Sequence, residues 1–178
     1  MDKNRLLKIG LLLSIIINLI LVENTYNYGK SKATHLEEVS NGIRFSYEFG
    51  DTLYKKFNDL TLDEKIEYLS SMHWTLTMSK WTLQDIRKND REYIDLLSLL
   101  IIYSHIPTEL TAMIRQNKSE EEVLTLLETW LKDMEQLKDE LNNTPLSKMN
   151  NKELNNFLKS LQLNYPSDSV ELFKKFLD

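Results

Sequence analysis

The sequence contains no cysteine, and its 178 residues include only three prolines and four glycines. Without thiols there are no disulfides, no thiolate metal sites and no cysteine nucleophile. Long stretches also lack the residues that usually end helices or form tight turns. The G-x-S-x-G nucleophile motif, the glycine-rich phosphate loop and the H-E-x-x-H zinc motif are missing. We therefore predict an all-α protein that is not an enzyme and has no catalytic residues, metal site or cofactor.

The charge distribution limits the classes of partner. The net charge is −5; residues 1–22, with three basic residues and one acidic residue, contribute +2 and leave −7 for residues 23–178. An acidic domain binds phosphate backbones poorly, so we expect no nucleic-acid partner. Many Asn, Lys, Ile and Leu residues, with few Gly, Pro and Ala, are typical of proteins from AT-rich bacterial genomes.

One long apolar stretch lies near the amino terminus. It covers residues 6–22 and follows two basic residues. As a helix it covers roughly 25 Å, so a helix that continues to about Tyr26 spans a ~30 Å hydrocarbon core. A basic flank, an apolar block and a polar exit are the order of a targeting segment. We expect residues 1–28 to form a membrane anchor, with its transmembrane helix over about residues 6–26.

The pattern favours retention of this segment over cleavage. A secretory signal needs small residues soon after the apolar block, and ENTYNY offers poor ones; Ser31 and Ala33 have suitable spacing but lie too far along. The alternatives to an uncleaved signal anchor are a cleaved signal peptide and a buried core helix. Basic residues before the span place the amino terminus in the cytoplasm and residues 29–178 outside the cell membrane.

Small and polar residues recur every four positions within the predicted span, at Gly10, Ser14 and Asn18. This spacing places them on one face of a helix, where small side chains let two helices approach closely. It predicts a packing surface for a second copy of the chain, giving a homodimer, or for another membrane protein. The alternative is a passive anchor.

Two capping boxes predict where helices begin in the remainder of the chain. Thr61-x-x-Glu64 opens a helix over about residues 62–87, and Ser119-x-x-Glu122 opens another. In the latter, apolar residues recur at alternating steps of four and three, as in a helix that packs along a neighbour. These residues are Val123, Leu127, Trp130, Met134, Leu137 and Leu141.

A helix between these two, over residues 93–106, is apolar nearly all round and is therefore expected in the core. Asp90 is its candidate N-cap. Pro107 is expected to break or kink it, and a short helix from Thr108 follows. At this length the segment is too short for a second membrane span.

The carboxy-terminal part begins with a predicted linker at residues 142–150, followed by amphipathic helices over about 151–162 and 168–177. The predicted fold is thus an N-terminal single transmembrane helix followed by an irregular helical bundle. Its core comprises residues 29–141, and the two short helices within residues 142–178 pack on it.

Residues 41–51, NGIRFSYEFGD, are ambiguous. Ile43, Phe45, Tyr47 and Phe49 alternate with polar residues as in a strand. Helical spacing is present as well, and the sequence offers no second strand to pair with this one. We therefore favour a helix.

An aromatic stripe is the best candidate for a binding surface. Trp74, Met78 and Trp81 have i, i+4, i+7 spacing and lie nearly opposite the apolar face of their helix. If that helix is central, the stripe is buried core. If it is peripheral, the stripe is an exposed patch that docks a partner.

The polar side chains give weaker signals. His35 and Glu38 have the spacing of half a metal site, but a metal ion needs three or four convergent ligands. Asp95, Ser98 and His105 form a thin polar stripe on the predicted core helix, the one candidate lining for a small-ligand pocket.

These patterns support a bacterial single-pass membrane protein with an extracytoplasmic helical protein-interaction domain, such as an adaptor, regulator or immunity-like protein. The alternative is a small-ligand-binding or sensor domain.

The predicted topology is testable on the purified full chain. Mass spectrometry should find residues 1–22 still attached, because no favourable cleavage site follows the apolar block. Protease added to protoplasts should degrade the domain from outside, because Lys3, Arg5 and Lys8 retain the amino terminus in the cytoplasm. A mature form that starts after Val22 would contradict the anchor, and a protected domain would contradict the orientation.

Overall fold

Six α-helices and two short 3₁₀ helices account for the fold of the computed structural model. The model describes residues 3–87 and 93–177, with side chains for 29–86 and 93–177. The helices are α1 (Lys3–Lys56), α2 (Leu62–Arg87), α3 (Ile94–Arg115), α4 (Glu120–Asn143), α5 (Asn151–Ser160) and α6 (Asp168–Leu177), with 3₁₀ turns at Phe57–Asp59 and Leu146–Lys148. Helix makes up 87% of the structure, and the described residues contain no strand, which confirms the all-α prediction. Residues 1–34 and 35–178 form two separate compact units.

The helical interpretation of residues 41–51 is confirmed, because they lie inside α1. The predicted span at residues 6–26 also lies within α1, but the side chains of residues 1–28 are outside the described part of the chain. The membrane anchor and the packing role of Gly10, Ser14 and Asn18 therefore remain predictions.

Of the two effects predicted for Pro107, a break or a kink, the break is wrong, and so is the separate helix from Thr108: α3 continues through Pro107 to Arg115. Pro107 has no N–H to donate to the carbonyl oxygen of Tyr103, four residues earlier, and α2 makes a polar contact next to this position. His73 Nδ1 lies 2.6 Å from the carbonyl oxygen of Ser104, one turn before the proline. Because that oxygen only accepts, Nδ1 is the protonated nitrogen. The predicted N-cap Asp90 lies outside the described residues.

Among the described helices, α3 is also long and apolar enough to meet the length and composition criteria for a membrane span. The core helix of a water-soluble domain meets the same criteria, and 44% of the most apolar stretch of α3 is buried. Leu97, Leu100 and Tyr103 are among its fully enclosed residues. These observations place α3 in the core of the domain.

The predicted helix starts are present. Glu64 accepts from the backbone N–H of Thr61 at 2.8 Å, and Ser119 Oγ accepts from the N–H of Glu122 at 3.2 Å. A further capping box joins Asn150 and Glu153 at the start of α5. The whole predicted seam of α4 is buried, from Val123 to Leu141.

A buried carboxylate links the carboxy-terminal segment to α3 and α4. Asp133 of α4 is 1% exposed. It accepts from the hydroxyl of Tyr103 at 2.6 Å and from the backbone N–H groups of Asn164 and Tyr165 at 2.8 and 2.9 Å. Burial, together with the adjacent carboxylate, raises the pKa of Tyr103. The carboxyl group of Asp133 is therefore enclosed and accepts hydrogen bonds from three donor groups.

Helices α1 and α2 approach each other at small residues four positions apart, Gly42, Ser46 and Gly50. A Cβ atom on Gly42 would collide with Ser79 Oγ, and Ser46 Oγ donates to the carbonyl oxygen of Met72 at 3.1 Å. A Cβ atom on Gly50 would lie 2.7 Å from the indole of Trp130 on α4 and 3.1 Å from the terminal methyl group of Met72 on α2. Gly42 of α1 thus faces Ser79 of α2, and Ser46, one turn later in α1, faces Met72, which lies earlier in α2. The two helices therefore run antiparallel.

Replacing the buried carboxylate should destabilise the domain strongly. Asp133→Ala leaves one hydroxyl and two backbone N–H groups buried without an acceptor, at a cost of about 3 kcal/mol or more. Asp139→Ala, at an exposed position on the same helix, should change stability by less than about 1 kcal/mol. Thermal unfolding of the two variants tests this difference, and equal melting temperatures would contradict the role of Asp133.

The close helix approach predicts opposite outcomes for two glycines. Both Gly29→Ala and Gly42→Ala should gain about 1 kcal/mol of helix propensity. Only at Gly42 does the new methyl group collide with α2, and overpacking costs about 1–3 kcal/mol. Gly42→Ala should therefore melt at a lower temperature than Gly29→Ala. If both variants gain stability equally, α1 and α2 do not pack this closely.

Candidate functional site

The aromatic stripe of α2 is exposed. Trp74, Met78 and Trp81 are 55%, 44% and 45% accessible, so the interpretation that buries them is wrong. On the opposite side of α2, Leu76 and Leu83 are fully enclosed. The helix therefore contributes one face to the core and turns its tryptophans outward.

A groove runs beside this stripe, between α1 and α2. Its second wall is formed by Glu38, Asn41 and Phe45 of α1, and Phe45 is 43% exposed. We call it the aromatic groove; it has a volume of about 500 Å³ and is lined by Glu38, Asn41, Gly42, Phe45, Trp74, Thr75, Met78, Ser79 and Thr82.

The floor of the aromatic groove is the close contact between Gly42 and Ser79. Gly42 has no side chain to fill the space, and Ser79 Oγ donates to the carbonyl oxygens of Thr75 and Val39 at 3.0 and 3.3 Å. The serine hydroxyl is therefore engaged within the protein. The polar group at this contact therefore needs no hydrogen bond from a ligand, which suits apolar contact.

The exposed aromatic rings in and beside the groove hold a defined geometry; Trp74 lines the groove, and Trp81 lies outside the lining. The rings of Trp74 and Trp81 pack edge to face, with centroids 5.6 Å apart and planes at 85°. The guanidinium of Arg44 lies 5.0 Å from the centroid of Phe45. Such contacts restrict ring rotation, so the exposed aromatic rings are partly ordered before any partner binds.

One charged residue, Glu38, lines the aromatic groove. Its carboxylate lies 3.1 Å from Nδ1 of His35, so the residues considered as half a metal site contact each other. Within the described part of the chain, no group of three or more His, Cys, Asp or Glu residues has the arrangement to hold a metal ion.

The polar stripe of α3 does not converge on a ligand site. Ser98 Oγ donates to the carbonyl oxygen of Ile94 at 2.9 Å, and His105 is exposed on the helix surface. The surface depression beside Ser98 is lined otherwise by Ile102, Ser169, Leu172, Phe173 and Phe176, without Asp95 or His105.

Sequence patterns revealed one wall of the groove and missed the other. In the sequence, Phe45 belongs to the alternation of apolar and polar residues that suggests a strand. Glu38, Asn41 and Phe45 also have the i, i+3, i+7 spacing of a helix face, and this spacing is the signal for the second wall. The assembled surface offers ordered apolar groups beside hydrogen-bonded backbone, an arrangement suited to burying apolar side chains of a ligand. No family model, curated protein or solved structure matches the chain.

Proposed function

We propose that the chain is a bacterial single-pass membrane protein whose extracytoplasmic helical domain binds another protein through the aromatic groove. It would act as an adaptor, a regulator or an immunity-like protein, without catalysis of its own. The observation that carries the proposal is the exposure of Trp74, Met78 and Trp81 beside Phe45. Large apolar side chains grouped in this way on a surface are typical of interaction sites.

The proposed occupant is an amphipathic helix of the partner protein. Two antiparallel helices form the groove, and a third helix laid along them would continue helix packing. The distance along α2 from Trp74 to Trp81 is two helical turns, about 10 Å. A partner helix would therefore place apolar residues at i, i+3 or i+4, and i+7 in the groove.

Charge favours a basic helix. Glu38 is the charged residue that lines the groove, and residues 23–178 carry a net charge of −7, the chain total of −5 less the +2 of residues 1–22. A basic residue beside the apolar positions of the partner would face Glu38. Complementary charge also speeds association.

The predicted membrane topology determines where the proposed binding would take place. The predicted span over about residues 6–26 holds the domain at the outer surface of the cell membrane, where a membrane-bound partner is within reach. The Gly10, Ser14 and Asn18 face would pack against a second copy of the chain or against that partner.

Photo-crosslinking tests the groove directly. A crosslinking phenylalanine analogue at position 45 should capture the same partner protein from membranes in the full-length chain and lose it when Trp74 or Trp81 is changed to Ala. Aromatic hot-spot residues contribute about 2 kcal/mol or more each to binding. A synthetic peptide of the captured segment should be helical when bound and carry basic residues.

The controls separate binding from folding. Trp74→Ala and Trp81→Ala should change stability by less than about 1 kcal/mol, whereas Trp130→Ala, which truncates a fully buried indole, should cost about 3–5 kcal/mol. The analogue at Leu172, an exposed apolar position on α6, should not capture the partner. A large loss of stability in Trp74→Ala, or equal capture from both positions, would contradict the proposal.

A further inference from the structure

A second concave surface lies on another side of α1 and differs from the aromatic groove in chemistry. It faces the segment that follows α4 and has a volume of about 380 Å³. Sites for small molecules typically measure about 300–1,000 Å³. We call it the polar hollow; its polar side chains belong to Glu37, Ser40, Asn41, Arg44, Asn142, Ser147 and Lys148.

Most of these side chains have no internal partner. Lys148, Ser147 and Asn142 make no side-chain hydrogen bond or ion pair to any described residue. The Nε–H of Arg44 is buried without a hydrogen-bond acceptor, and Arg44 forms one ion pair, with Glu48, whose carboxylate oxygen lies 3.7 Å from Nε. Donors that converge on one concavity and remain unpaired are available to a ligand.

The charge of the polar hollow opposes that of the domain. Among the lining residues, Arg44 and Lys148 contribute two positive charges and Glu37 one negative charge, and Arg44 also pairs with Glu48, which lies outside the lining. Residues 23–178 carry −7 once the +2 of residues 1–22 is taken from the total of −5. Two basic side chains on one concave surface of an acidic protein favour an anion. Arg supplies a planar fork for carboxylate or phosphate, and Lys supplies a mobile point charge.

We propose that the polar hollow binds a small anion through a carboxylate or phosphate group, held by Arg44 and Lys148. The hydroxyl of Ser147 and the amide of Asn142 provide further donors, and Glu37 at the rim weakens the attraction. This site is separate from the proposed protein interaction and does not depend on it.

The test uses the ¹⁵N-labelled full chain in detergent micelles, titrated with inorganic phosphate and, in a parallel arm, with succinate, both at constant ionic strength in chloride. Either anion should give saturable shifts confined to the amides around Arg44 and residues 142–148. The arm with the lower Kd identifies the preferred group. Arg44→Gln and Lys148→Gln should each raise that Kd, the former about tenfold, which corresponds to about 1.4 kcal/mol of binding free energy, because each variant loses a charged hydrogen-bond donor.

Two further variants make the test specific. Glu37→Gln should lower the Kd by removing the negative charge at the rim, and Lys159→Gln, on α5 away from the hollow, should leave it unchanged. Lys148 is exposed and unpaired within the described residues, so Lys148→Gln keeps the test valid even if Arg44→Gln unfolds. The proposal is overturned if neither anion saturates, or if Lys148→Gln and Lys159→Gln bind alike.

Discussion

The carboxylate of Asp133 is the interaction on which the arrangement of the carboxy-terminal half depends. It lies at 1% exposure on α4, where an unpaired charge would be strongly unfavourable. Three donors engage it: the Tyr103 hydroxyl on α3 and the backbone N–H groups of Asn164 and Tyr165. The segment between α5 and α6 has no regular hydrogen-bonded structure of its own. Gln136, one turn further along α4, also exchanges hydrogen bonds with the backbone of Gln162 at 2.9 and 3.0 Å. Asp133, supported by Gln136, therefore fixes the position of an extended segment relative to α3 and α4.

Close contacts at small residues determine the packing of α1 against its neighbours. Gly42 and Gly50 let the backbone of α1 approach α2 and Trp130, and any larger side chain there would meet an atom already in place. Close backbone packing brings the walls of the aromatic groove together at Gly42, which has no side chain to fill the space between them. The residues that stabilise the α1–α2 contact thus also create the concave surface beside it.

Local patterns predicted much of this fold, and long-range contacts account for what they missed. Caps such as Thr61 and Ser119 act within one turn, so four residues of sequence suffice to recognise them. The continuation of α3 through Pro107 involves His73, which lies on another helix. No local pattern predicted that Asp133 is buried and hydrogen-bonded, because its partners are about thirty residues away in each direction along the sequence. Whether Trp74 was buried or exposed likewise depended on which helices flank α2.

Helix geometry explains how α1 serves two surfaces of opposite character. Successive residues of an α-helix point about 100° apart, because one turn contains 3.6 residues. Glu38 and Phe45 accordingly line the aromatic groove, whereas their neighbours Glu37 and Arg44 line the polar hollow. Asn41, between the two faces, lines both. A substitution at Arg44 or Phe45 therefore removes a lining residue from only one of the two surfaces, although these two side chains also contact each other. Lys148 lines the polar hollow and not the aromatic groove, so a change at Lys148 and a change at Phe45 separate the two proposed binding activities.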